Sequence, residues 1–191
     1  MTKRLIIVSG ADRVGKSTLI EGLYRKYRGE ARRAHHNAPS RFSGEPYEYY
    51  KNDLAEFVVS KENVCIWDRG WPCSYILEQH REHTHDHLPE IVDLEIYVMT
   101  FGIKVLHVAV EKNWSWSAPH HLEELKLENP NASDWWIRNK YINRMREHEN
   151  YYRELRYFLE NVTAFPHLWH GHDQYEAGNE VDNLYKETTY F

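Results

Sequence analysis

Only two cysteines, Cys65 and Cys73, occur in the 191 residues. Two thiols build neither a disulfide framework nor a thiolate zinc site, and a reducing compartment, the cytoplasm, is the simple expectation. No apolar run reaches the roughly 18 residues that a membrane helix needs, so no membrane partner is expected. The apolar stretch after Lys3 and Arg4 breaks at Ser9-Gly10, which is too short for the core of a signal peptide. Basic charge is not in excess, because 24 Lys and Arg face 29 Asp and Glu for a net charge of −5. A nucleic-acid partner is therefore not favoured, and an anionic substrate must be held by a local cation cluster.

What is present excludes a disordered chain: 41% of residues are apolar and 28% charged, a globular balance. Residues 4 to 9 read as a buried strand ending in a glycine-containing loop, and 18 to 28 as a helix carrying Leu19, Ile20, Leu23, Tyr24 and Tyr27. Residues 31 to 37 read as a second strand, made unusual by Arg32 and Arg33, and 47 to 60 as an amphipathic helix. Val64-Cys65-Ile66-Trp67 is a short buried strand, 73 to 82 a helix, and Pro89 to Thr100 a helix that Gly102 ends. Ile103 to Val110 is a strand, and residues 112 to 133 a polar insertion with a short helix after Ser117 and Pro119. The strongest helix spans 134 to 160, capped by Ser133 or Asp134, and Phe165 to Trp169 reads as the last strand. Apolar strands alternating with helices predict one α/β domain with a parallel sheet covered on both faces.

Gly10-Ala11-Asp12-Arg13-Val14-Gly15-Lys16-Ser17 satisfies the G-x-x-x-x-G-K-[ST] phosphate-loop pattern. The two glycines let the backbone bend with its N–H groups turned inward. Lys16 brings a point charge to the β and γ phosphates, Ser17 offers a hydroxyl to Mg²⁺, and the following helix turns its positive end on the anion. A buried strand before and an amphipathic helix after are the right context, so the expected fold is a three-layer P-loop NTPase. The base-recognition motif Asn-Lys-x-Asp of GTPases is missing, since Asn139-Lys140 runs into Tyr141-Ile142. Asp68-Arg69 follows the strand at 64 to 67 directly, which puts the pair at the ligand-binding rim of an open parallel sheet. There Asp68 suits a metal–water shell or proton acceptance, and Arg69 suits bidentate capture of an acceptor phosphate.

Ile6 to Thr18 resembles the thymidylate kinase family, in the branch whose phosphate loop itself contains Asp-Arg. Trp67-Asp68-Arg69 followed by Ser74 is similar to that family's second motif, and a polar lid after the fourth strand matches its layout. The specific match covers about a fifth of the chain by this layout. The resemblance implies that Gly10, Val14, Gly15, Lys16, Ser17 and Thr18 hold ATP, with Ser17 and Asp68 holding Mg²⁺. It implies that Arg13 swings over the transferring phosphoryl group, that Asp12 lies near the acceptor, and that Arg69 holds the acceptor monophosphate. The 113 to 133 segment contains no arginine and only Lys126 besides its histidines. Arg13 is then the economical source of charge at the γ phosphate. The implied reaction is phosphoryl transfer from ATP to a deoxynucleoside monophosphate, dTMP or a related or modified pyrimidine nucleotide. A compact member of this kind suits a virus or phage, working in the host cytoplasm, and the family layout admits a homodimer.

The chain departs from the family where the base is read. In place of Arg-Glu-Pro stands His36-Asn37-Ala38-Pro39, with Arg41 a little later. The 47 to 60 helix offers Tyr49, Tyr50, Asp53 and Phe57 to the base but no arginine. Of the arginines on the 134 to 160 helix, Arg138 is the expected one to approach the phosphates. A deoxynucleoside kinase, a kinase of a modified base in DNA and a non-enzymatic ATP-binding regulatory module stay open. His83, His85 and His87 read as a solvated connection, and Trp114 and Trp116 as lid aromatics.

Overall fold

The computed structural model describes residues 2–36, 46–79, 88–171 and 186. Among them the chain runs β1 (Arg4–Ser9), α1 (Lys16–Lys26), β2 (Ala31–His35), α2 (Pro46–Val59), β3 (Val64–Asp68), α3 (Trp71–Gln79) and α4 (Leu88–Thr100), then β4 (Lys104–Glu111), α5 (Trp114–Glu128), α6 (Asp134–Asn161) and β5 (His167–Gly171). The strands form one sheet in the order β2-β3-β1-β4-β5, and every pairing is parallel.

β1 lies at the centre, so Leu5, Ile6, Ile7 and Val8 are buried on both faces, which explains a continuous apolar run without alternation. β2 is an edge strand whose burial alternates, and an edge tolerates arginines that a central strand would not. Arg32 pairs with Asp53 on α2, and Arg33 with Glu21 on α1 at 2.7 Å. The chain leaves β1 toward the β2 side and returns to place β4 on the other side. Right-handed crossovers then put α1 on one face of the sheet and the later helices on the opposite face. Register pairs Val8 with Asp68, His35 with Asp68, and Ser9 with Ala109. The C-terminal ends of β1, β2, β3 and β4 therefore share one rim, with the topological switch at the end of β1.

Helix boundaries follow local chemistry. Gly102, at φ 63, ends α4 while its N–H donates to the Met99 carbonyl at 3.0 Å. Ser133 caps α6 by accepting from the Trp136 N–H. The polar insertion differs from the expectation of a short helix after Pro119. α5 is a 15-residue helix that starts at Trp114 and passes through Pro119. Pro119 falls six residues in, so only the Ser115 carbonyl loses its N–H partner. Packing offsets that loss: Trp114 stacks on His121 (ring centroids 4.9 Å apart) and donates from Nε1 to the Tyr141 hydroxyl on α6 at 3.1 Å.

Under the sheet, a buried polar cluster joins α4 to the segment after α6. The buried Glu95 accepts from Thr163 Oγ1 at 2.5 Å and from the Ala164 N–H at 3.1 Å. His107 on β4 lies beside Thr163, walled by Trp71, Phe158 and Phe165. No described helix is long and apolar enough to cross a membrane.

Candidate active site

The loop between β1 and α1 opens a cleft of about 790 Å³ at the rim, lined by residues 10 to 17 together with His35, Asp68, Arg69, Glu124, Arg144 and Tyr151 among others. Two contacts force glycine into this loop. A Cβ on Gly10 would stand 2.5 Å from the Val110 carbonyl oxygen, and Gly15 has φ 90. Arg13 and Arg69 also adopt left-handed backbone, at φ 66 and 71. Two strained non-glycine residues at one rim are held there by their surroundings. For Arg69 the hold includes its N–H donating to the Val8 carbonyl at 2.9 Å.

Lys16 is the first residue of α1, and its Nζ donates to the Ala11 carbonyl at 2.6 Å. Burial, and then the neighbouring Arg69 charge, pull it below the ordinary lysine value. A desolvated cation beside a second cation is poised for an anion. Arg69 forms an ion pair with Asp12 across the cleft. Burial pushes the Asp12 carboxyl up, but Arg69 and Lys16 outweigh it and hold that carboxyl below its usual range.

At the end of β3, Asp68 accepts from His35 Nδ1 through Oδ2 at 2.9 Å. Its other oxygen, Oδ1, is buried with no hydrogen-bond partner among the described residues. An orphaned carboxylate oxygen and the Ser17 hydroxyl in one cleft are the hard oxygen donors that Mg²⁺ takes, so the residues present fit that ion.

α6 supports the loop from behind. The Gly10 N–H donates to the Tyr151 hydroxyl at 3.2 Å and the Ala11 N–H to the Tyr152 hydroxyl at 3.3 Å. Tyr152 in turn donates to the Val110 carbonyl at 2.7 Å, tying loop, β4 and α6 together. Burial raises both phenols above the ordinary value, so they stay neutral. On the lid side, Arg13 pairs with Glu124 of α5, and Glu124 also accepts from Arg144 Nη1 at 2.9 Å.

Of the expected site residues, Gly10, Asp12, Arg13, Val14, Gly15, Lys16, Ser17, Asp68 and Arg69 line this one cleft. Thr18 is exposed on α1 and does not line it. Two of the expected base-reading residues, Tyr50 and Phe57, lie in the core. Tyr50 is 2% exposed, stacks on Trp67 and hydrogen-bonds Ser74 at 2.5 Å. Phe57 is 0% exposed and lies under Lys3 Nζ, at the opposite end of the sheet from the phosphate loop. His36 meets the Tyr50 and Trp67 rings edge-on, and Asp53 is paired with Arg32. The reason is the inward stripe of α2, on which positions 50, 54 and 57 all face the core. Arg138 is exposed and away from the cleft, whereas Arg144 lines it. Asn37, Arg41 and the His83–His87 segment lie outside the described residues. Arg144 was legible in principle: positions 137, 141, 144, 148, 151 and 155 form one helical stripe, and 138 falls off it. Glu124 carries no sequence signal of its own, and the stripes of α6 that hold Tyr151 and Tyr152 do not say that they meet the phosphate loop.

No family model and no curated protein matches the chain. Its fold is similar to that of polyphosphate kinase 2 from Arthrobacter aurescens TC1, with TM-score 0.65 and 12% identity over 99% of this chain. It is also similar to putative polyphosphate kinase 2 from Pseudomonas aeruginosa PA01, with TM-score 0.61 and 13% identity over 97% of this chain. The chain spans 66% and 43% of the lengths of those two. The YorR protein of Bacillus subtilis, in complex with phosphorylated GDP, is similar with TM-score 0.55 and 18% identity, covering 97% of this chain and 94% of that one. At these identities the likeness concerns architecture alone: a parallel β2-β3-β1-β4-β5 sheet flanked by helices, with the Gly10–Ser17 phosphate-loop pattern at the end of β1.

Proposed function

We propose that the chain transfers the terminal phosphoryl group of ATP to a nucleoside monophosphate. The observation that carries this reading is the placement of Asp68-Arg69, one strand over from the Gly10–Ser17 loop, in the same cleft. One side holds a triphosphate and the other an acceptor. The loop amides and Lys16 grip the donor phosphates, and Arg69 exchanges Asp12 for two oxygens of the acceptor phosphate. The γ P–O bond to the departing diphosphate breaks as an acceptor phosphate oxygen bonds to phosphorus. That oxygen is already anionic, so no base need remove a proton, and catalysis is positioning and charge stabilisation. Ser17 and Asp68 would hold Mg²⁺, which neutralises charge on the donor oxygens.

Thymidylate and related pyrimidine nucleotides are the acceptors the sequence resemblance favours. Of the aromatics that the 47 to 60 helix offers, Tyr50 and Phe57 are buried, and Tyr49, 62% exposed, is the one at the surface. The likeness to YorR, described with phosphorylated GDP, adds guanine nucleotides to the candidates. A second reading, inorganic polyphosphate as donor, has its own support. Tyr151 is the only Tyr, Phe or Trp lining the cleft among the described residues, and Arg13, Arg69, Arg144 and Lys16 are all there. Two fold neighbours are named polyphosphate kinases.

The test is product formation with ATP or polyphosphate as donor, against dTMP, dGMP, GMP, the parent nucleosides and duplex DNA, with Lys16→Ala as control. A monophosphate is expected to be the best acceptor, and Lys16→Ala to lower kcat roughly a thousandfold with an unchanged circular dichroism spectrum. Faster transfer to a nucleoside or to DNA, or full turnover in Lys16→Ala, overturns the reading.

A further inference from the structure

Two guanidiniums from separate elements converge on one carboxylate inside the cleft. Arg13 comes from the phosphate loop and Arg144 from α6, and Glu124 of α5 engages one with each oxygen. Arg144 also reaches Glu128 through Nη2 at 3.3 Å, and His121 Nδ1 lies 4.0 Å from Glu124. Burial pushes the Glu124 carboxyl up, but the two arginines hold it below its usual range, so it is charged. Arg13 and Arg144 would repel one another at this spacing without an anion between them.

We propose that Arg144 joins Arg13 as a two-arginine clamp on the transferring phosphoryl group, and that Glu124 is a positioning residue that holds both guanidiniums until a substrate phosphate displaces it. The inference rests on the phosphoryl-transfer reading and adds to it a second arginine and a built-in competitor. A carboxylate presents two oxygens and a single charge. A terminal phosphoryl group presents three oxygens and more charge to the same two forks. The exchange is easy because the pairs are half-exposed: Arg13 is 50% accessible, and Glu124 and Arg144 just under a third. Ion pairs so placed hold weakly. Arg144 also stands on the stripe of α6 whose next turns, Tyr151 and Tyr152, brace the phosphate loop. The clamp and the loop therefore share one rigid support.

The sign of one effect separates a competitor from a structural staple. Titration calorimetry with Mg²⁺ and the non-hydrolysable analogue AMP-PNP should show Glu124→Gln binding about fivefold tighter than wild type, the gain expected from removing a part-exposed ion-pair competitor. That gain should vanish in Glu124→Gln/Arg144→Ala. Arg144→Ala alone should lower kcat roughly a hundredfold while changing the analogue Kd much less, with partial recovery in Arg144→Lys. Analogue binding by Glu124→Gln that is unchanged or weaker makes Glu124 a staple and overturns the proposal. So does an Arg144→Ala kcat within twofold of wild type. Wild-type protein that binds no AMP-PNP at all removes the phosphoryl-transfer reading itself, a failure distinct from either of these.

Discussion

Arg69 and Asp12 neutralise each other across the cleft, which explains how two charges sit together at this rim. A guanidinium left alone there would be desolvated without a partner, and on the proposed reading the Asp12 carboxylate fills that place until an acceptor phosphate takes it. Arg69→Lys keeps the charge and loses the fork. It should raise the acceptor KM about tenfold, one lost charged hydrogen bond, and leave the ATP KM nearly unchanged. Steady-state kinetics with each substrate varied in turn decides this, and a silent variant would make Arg69 structural. At the same scale, Tyr50 and Phe57 show why a site assignment from helix position fails. The resemblance offers them to the base, but they share the apolar stripe of α2 and that stripe faces the core.

α6 is the element that joins the pieces. Its 28 residues carry Arg144 into the cleft, His148 to the Lys112 carbonyl at 2.9 Å, and Tyr151 and Tyr152 to the loop amides. Tyr152 is the tightest of these ties, because its hydroxyl both donates to Val110 and accepts from Ala11. Tyr152→Phe leaves two buried backbone groups without that partner. It should cost about 1–2 kcal/mol of stability and weaken nucleotide binding as the loop loosens. Urea unfolding together with AMP-PNP titration checks both. A loss of stability with unaltered binding would make the tie structural only. α5 rests on α6 through Trp114, whose ring packs on Tyr141 and whose Nε1 donates to the Tyr141 hydroxyl.

At the scale of the whole molecule, one buried group sets an acid limit on stability. Burial takes the His107 imidazole down to about 3, against an ordinary value near 6.5. The folded chain keeps it neutral where the unfolded chain protonates it. The contribution of His107 is therefore complete above about pH 6.5 and declines as pH falls toward 3. Between pH 6.5 and pH 5 that decline is about 2 kcal/mol. Glu95, reached through Thr163, and the nearby His167 are present in both wild type and variant. His107→Leu should thus lose about 2 kcal/mol less than wild type between pH 7 and pH 5 in urea melts. An identical acid limb in the two proteins would show that His107 is not what sets it.

The chain alone determined the alternation of buried strands and helices, the phosphate loop and the Asp68-Arg69 pair. All three are local: a period, an eight-residue pattern, and two residues at the end of an apolar run. The Gly15 requirement is legible for the same reason, since its φ of 90 belongs to the loop's own geometry, whereas the clash that forbids a Cβ on Gly10 comes from the Val110 carbonyl on β4. Tertiary structure decided what faces what. It put Glu124 between Arg13 and Arg144, more than a hundred residues apart along the chain for the first pair. It set two tyrosines of α6 behind the loop and sent Tyr50 and Phe57 into the core. No pattern within one element carries such pairings. They exist only because the β2-β3-β1-β4-β5 order brings four strand ends to a single rim and right-handed crossovers lay α6 against β4.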